Sequence, residues 1–180
     1  MPTTANPGFL KSTIQVFTNY KGLGEKTFDQ LTDAQLQWKP NASSNSIALI
    51  VHHLSGNMLS RWTDFLTSDG EKPWRDREAE FETGYADRAS MMEAWDKGWE
   101  CLLSALKGLG PEDLGKTIYI RNEGHTVVEA VQRQLAHYAS HIGQIMFIGK
   151  LIKDSGWKSL SIPKGGTREF NAGKFGQPKK

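Results

Sequence analysis

The sequence is poor in several things that would each announce a function. It has one cysteine, Cys101, among 180 residues. No internal disulfide can form, which fits the reducing cytosol. No stretch approaches the roughly 18 consecutive apolar residues of a membrane-spanning helix, so a membrane protein is not expected. The opening MPTTANPGFLKS lacks a charged region followed by an apolar run, and no signal peptide is read there. Charge of one sign is also scarce. The formal net charge is +2, with basic residues scattered except in the terminal GKFGQPKK, which argues against nucleic acid or an acidic membrane as partner. There is no internal repeat, low-complexity segment, phosphate-binding glycine loop, serine triad or CxxC pair. What is present is ordinary for a soluble cytoplasmic domain: 38% hydrophobic and 23% charged residues, in a chain long enough for one real core.

Apolar periodicity predicts an all-α protein. A first helix covers about 7–26, with Phe9, Leu10, Ile14, Phe17 and Tyr20 at helical spacing. A short helical turn and a Pro/Asn/Ser loop follow. A second helix runs from near Ser46 to about Thr67 on the stripe Ile47, Ile50, Val51, Leu54, Met58, Trp62 and Phe65. The charged segment 68–85 reads as a surface connection. A third helix over about 88–108 buries Met91, Met92, Trp95, Trp99, Leu102, Leu103 and Leu106. GLGP at 108–111 ends it, with glycine suited to a left-handed cap. Thr117–Ile120 alternates like a strand and Asn122-Glu123-Gly124 suits a turn, so a short hairpin is expected before the last helix. Thr126-Val-Val-Glu129 is a capping box that opens a fourth helix to about Lys153. Its stripe is Val128, Val131, Leu135, Tyr138, Ile142 and Ile145. Four such helices in one domain predict a four-helix bundle over 1–154. Residues 155–180 form a C-terminal arm or tail, packed on the bundle or extending from it.

Four of the five histidines fall in two short stretches, HHLSGNM at 52–58 and HYASHIGQ at 137–144. His137 and His141 are one turn apart on a helix and can reach one point, with Gln144 on the same strip. Two imidazoles hold a divalent metal poorly. A third from a facing helix would complete a three-histidine site with open positions, the arrangement of a catalytic metal. The zinc-protease pattern needs Glu after the first His, and Tyr138 stands there, so that chemistry is not indicated. His52 and His53 project about 100° apart, each bordering the apolar stripe on a different side. His53 shares a strip with Asn57, Arg61 and Asp64, whereas His52 lies nearer Leu59. Periodicity leans to His53 without choosing cleanly. His125 reads as a surface residue, Cys101 as buried and inert, and Trp62, Trp95 and Trp99 as core. Glu123 could serve as an acid in a site, while Glu129 is explained as a helix cap.

Two stretches carry a resemblance. They are NSIALIVHHLSGNMLSRWTDFLTSDGEKPWRDREAEF at 45–81 and LAHYASHIGQIMFIGKLI at 135–152, with KSLSIPKGGTREFN at 158–171 in support. On these the chain resembles an uncharacterised bacterial branch of the DinB/YfiT-like superfamily of metalloenzymes, the H-x-x-x-H-x-G-Q run being the most specific element. The resemblance implies a DinB-like bundle binding a divalent metal, zinc or nickel, through one histidine of the second helix and two of the fourth. Carried over, the ligands are His53, the residue before Leu-Ser-Gly-Asn-Met, together with His137 and His141; His52 is then incidental. Asn57 and Gln144, placed by their strips, would contact the ligands or the substrate.

The resemblance also implies an activity. Members include S-transferases and isomerases that use low-molecular-weight thiols, so the expected function is transfer of a small-molecule thiol to an electrophile. A metal with open positions lowers the pKa of a bound thiol and holds it as nucleophile. Metal-dependent hydrolysis is the alternative among enzymes, and a non-catalytic, stress-related metal-binding bundle is the alternative outside them. Homodimers are common in the superfamily and are expected here.

Overall fold

The apolar stripes become the facing surfaces of four long helices in the computed structural model, which describes residues 8–176. Pro7, where the first helix was expected to begin, and Lys179 and Lys180 of the basic terminal run lie outside the described residues.

The first helix, α1, spans Gly8–Phe28. Thr32 and Gln35 then form a capping box that starts the single turn α2, Asp33–Leu36. Helix α3, Ile47–Trp62, begins where the Ser46 side chain accepts a hydrogen bond from the Leu49 amide, satisfying one of the amides that a helix start leaves free. A short α4 covers Ala79–Glu82, and Asp87 caps α5, Arg88–Lys107. Strands β1, Thr117–Ile120, and β2, Glu123–Thr126, pair antiparallel. The capping box of Thr126 and Glu129 then launches α6, Val127–Lys153. A final helix, α7, spans Thr167–Phe175.

Helix α3 packs on α5, α1 packs on α6 and α5, and α6 returns against α3, giving a bundle with a two-stranded hairpin before its longest helix. At its centre Phe17, Trp95, Trp99 and Tyr138 are fully buried and meet edge-on or tilted, with ring centroids 5.4–6.4 Å apart, the arrangement that ring quadrupoles favour. The buried indole of Trp62 donates to the Tyr138 hydroxyl at 3.1 Å, and that hydroxyl donates to Asn57 Oδ1 at 3.0 Å. Glycine admits close approach where the rings need it. A Cβ at Gly24 would lie 2.7 Å from the Trp95 ring.

The local expectations need four corrections. Helix α3 stops at Trp62, five residues before Thr67, because Asp64 takes φ +48° and its carbonyl accepts from the amides of Thr67 and Ser68. Gly108 caps α5 with φ −78°, so the chain leaves without a left-handed residue. The hairpin turns at Arg121-Asn122, both at positive φ, which puts Glu123 and Gly124 in β2. The Asp69 carboxylate accepts from both turn amides at 2.8 Å, and this offsets the strain of two non-glycine residues in the left-handed region. The segment 68–85 is also more than a surface connection, since Lys72 and Glu80 within it are buried.

Part of the C-terminal arm is tied down. Gln30 accepts from the Lys158 amide and donates to the Lys158 carbonyl, and Trp157 lies over Gly149 of α6. Among the described residues no helix is long and apolar enough to cross a membrane.

Two glycines of α1 provide a paired test of the packing. Gly24→Val should destabilise the fold by about 1–3 kcal/mol through overpacking against Trp95. Gly22→Ala, where a Cβ meets nothing within 4 Å, should be neutral or stabilising by up to about 1 kcal/mol. Urea unfolding of the two variants checks the contrast.

Candidate metal centre

Helix α3 contributes His53, and α6 contributes His137 and His141 one turn apart, with ligand nitrogens that all lie within 4.8 Å of one another. The Nε2 atoms of His53 and His137 are 3.2 Å apart, and those of His137 and His141 are 3.0 Å apart. His53 is 4% exposed, while the α6 pair is half-buried and borders solvent. Phe81 stacks on the His53 ring at 4.7 Å.

Each outer histidine is oriented through its far nitrogen. His53 Nδ1 lies 2.9 Å from Glu80 Oε2. A carboxylate accepts only, so this contact fixes the proton on Nδ1 and turns the Nε2 lone pair toward the other rings. His141 Nδ1 donates in the same way to Gln144 Oε1 at 3.1 Å. Two Nε2 lone pairs therefore converge on His137 Nε2, which can donate a proton to only one of them. Three nitrogens each about 2.0–2.1 Å from a tetrahedral cation would be roughly 3.3 Å apart. The two spacings to His137, 3.2 and 3.0 Å, are close to that and the third nitrogen pair lies within 4.8 Å, so the donor set fits a divalent cation with ligand positions left over. A carboxylate behind a ligating imidazole is also a usual partner of such sites.

Glu80 is itself held. Arg75 donates to its two oxygens at 2.7 and 2.8 Å, and both side chains are almost fully buried. Burial alone pushes the Glu80 carboxyl up, but the hydrogen bonds from Arg75 and His53 outweigh it and leave the group below the usual carboxylate range. Gly56 makes room for this carboxylate on the face of α3, since a Cβ there would lie 2.2 Å from Glu80 Oε1. Burial, reinforced by the neighbouring His141 and His53, lowers the pKa of His137 to about 3. Burial lowers that of His141 too. Both rings are therefore poised as neutral ligands.

A cavity of about 250 Å³ opens against His53 and His137, bordered by Asn57 and Gln134 and by arginines from several elements. Asn57 thus sits both on the cavity and on the Tyr138 hydroxyl. Gln144 touches His141 and lines a separate groove with Ile50 and Phe147. Of the polar strip on α3, Arg61 joins the cavity wall, but Asp64 lies past the helix end. His52 points elsewhere: its Nδ1 lies 2.7 Å from the Thr83 carbonyl and its ring packs on Tyr85. His125 is half-buried rather than a surface residue, with Glu123 3.6 Å away. Cys101 is partly buried, beside the Thr63 hydroxyl. The residues missed from the sequence are Glu80, Arg75, Phe81 and Gly56. Gly56 was the available signal, because a glycine inside an amphipathic helix costs about 1 kcal/mol and usually marks a close approach.

These features place the chain first by fold and then by family. The described architecture is that of the DinB/YfiT-like four-helix bundle. YfiT from Bacillus subtilis, described as a probable metal-dependent hydrolase with an unusual four-helix bundle topology, superposes with a TM-score of 0.69 at 19% identity, over 88% of this chain and 94% of that one. The chain belongs to the family described as "protein of unknown function (DUF1572)", whose profile matches residues 4–166. No curated protein matches.

Two measurements test this electrostatic construction without reference to activity. Arg75→Ala strands a buried carboxylate and should cost about 3–5 kcal/mol, read by chemical denaturation. The depressed His137 and His141 values mean that the unfolded chain binds these protons more readily than the folded one. Their stability contribution is therefore complete above the ordinary value of 6.5 and is lost as the pH falls toward 3. Unfolding free energies of chelator-treated protein should decline from pH 7 to pH 4.5, and His137→Gln should flatten that decline.

Proposed function

We propose that the protein is a divalent-metal-dependent enzyme in which His53, His137 and His141 hold the cation. The observation that carries this reading is the convergence of three imidazole nitrogens within 4.8 Å of one another, with His53 and His141 Nε2 at 3.2 and 3.0 Å from His137 Nε2 and their lone pairs turned inward by Glu80 and Gln144. A divalent cation there would supply Lewis-acid chemistry, lowering the pKa of a water or thiol brought to its open side. The chain's own residues do the rest. Glu80 and Arg75 lock the His53 ring, Gln144 locks His141, and Asn57, tethered by Tyr138, borders the space where a substrate would lie.

Two nucleophiles suit such a centre. Thiol transfer to an electrophile is the reading supported by the sequence resemblance, and it is the one we favour. Hydrolysis is the second reading, supported by the fold likeness to YfiT. Zinc or nickel suits an all-imidazole donor set.

Metal analysis of purified protein should return about one divalent ion per chain, and His53→Ala, His137→Ala and His141→Ala should each abolish it. Unchanged metal content in these variants would end the metalloenzyme reading. Glu80→Gln should weaken metal affinity by about 10- to 100-fold, measured by chelator competition. With the loaded protein, conjugation of a model electrophile by small thiols separates transfer from hydrolysis. Metal that changes only the melting temperature, with neither reaction observed, would favour the non-catalytic bundle.

A further inference from the structure

The cavity beside the histidines carries a charge pattern that metal binding does not use. Its wall includes Arg61 from α3, Arg75 and Arg77 from the segment before α4, Arg121 from the hairpin turn and Arg133 from α6. The carboxylates available to them are fewer. Glu71 is shared between Arg61 and Arg121. Glu80 is taken by Arg75 and His53. Arg77 has only the exposed Glu78 at 3.7 Å, and no carboxylate of the described residues pairs with Arg133. Five guanidinium groups thus face one small space with fewer than five opposing charges, and the three histidines add no negative charge.

Two polar atoms in the same wall are left over. Arg61 Nε and Gln134 Oε1 are buried without a hydrogen-bond partner, on residues 7% and 3% exposed. Such atoms are costly unless something bound satisfies them. Arg61 Nε is a donor, and exchanging the oxygen and nitrogen of the Gln134 carboxamide would make that position a donor as well.

We propose that this cavity binds an oxyanion, a carboxylate or phosphate group of the substrate, and holds it beside the reacting centre. A volume of about 250 Å³ is below the roughly 300–1,000 Å³ of sites for drug-sized ligands, so it admits one such group. Guanidinium forks match both oxyanions bidentately. A catalytic consequence rests on the metal-centre reading, but anion binding itself does not, because Arg61, Arg75 and Arg121 are held by Glu71 and Glu80 rather than by a cation.

Calorimetric titration with inorganic phosphate and with succinate, at ionic strength fixed with chloride, tests the proposal in chelated and metal-loaded protein. Saturable binding of either ion is expected in both forms, and the two arms distinguish phosphate from carboxylate. Arg133→Gln, an exposed change, should weaken that binding about tenfold, the loss of one charge-assisted contact, while the melting temperature stays unchanged. His141→Ala, which removes a metal ligand that does not line the cavity, should lose metal yet keep anion binding. Binding no tighter than chloride, binding indifferent to Arg133→Gln, or binding only in the loaded form would each overturn the oxyanion site. Metal retained by His141→Ala would overturn the metal reading alone.

Discussion

The buried carboxylate of Glu80 is the contact on which the rest of the site depends. It lies between a guanidinium and an imidazole, out of water, where an unpartnered ion would be expensive. Arg75 makes its burial tolerable, and His53 receives the benefit as a fixed tautomer and a fixed ring. The neighbouring structure serves that position. Gly56 opens the helix surface, Phe81 covers the imidazole face, and α4 exists as a turn that carries both Glu80 and Phe81. A histidine at position 53 without this support would be one of two adjacent imidazoles on a helix. The support is what makes it differ from His52.

The hydroxyl of Tyr138 plays a similar part in the core. Buried among aromatic rings, it links Trp62 to Asn57 and so ties the packed centre of the bundle to the cavity wall. The residue next to it in sequence is His137. One turn of α6 therefore faces the core with one side chain and the site with the next, which is why a helix so rich in polar residues still packs on both α1 and α3.

Much of this could be read in the sequence. The four long helices follow from apolar periodicity, and the cap at Thr126 with Glu129 follows from its side chains. The i, i+4 histidines were legible because helix geometry alone brings them together. Choosing His53 over His52 took the polar strip and the resemblance together, since both rings border the same apolar stripe. Glu80 was not legible. Its segment has no periodicity to orient it, and its partners lie 27 residues away on a helix and five residues away in a loop. The arginine cavity was hidden for the same reason, as its members come from α3, a connection, a hairpin turn and α6. The early end of α3 turned on one left-handed residue, Asp64, a conformation that no apolar pattern reports.

The separation of the three histidines along the chain has a thermodynamic consequence. His53 and His137 are 84 residues apart, and they meet only when α3 and α6 are docked. A ligand held by all three rings has nothing comparable to bind in the unfolded chain, so its binding free energy adds directly to the free energy of folding. With such a ligand bound, the protein's apparent stability would become a function of its surroundings, rising with the free concentration of that ligand. A bundle so loaded would report the composition of its medium through how firmly it stays folded.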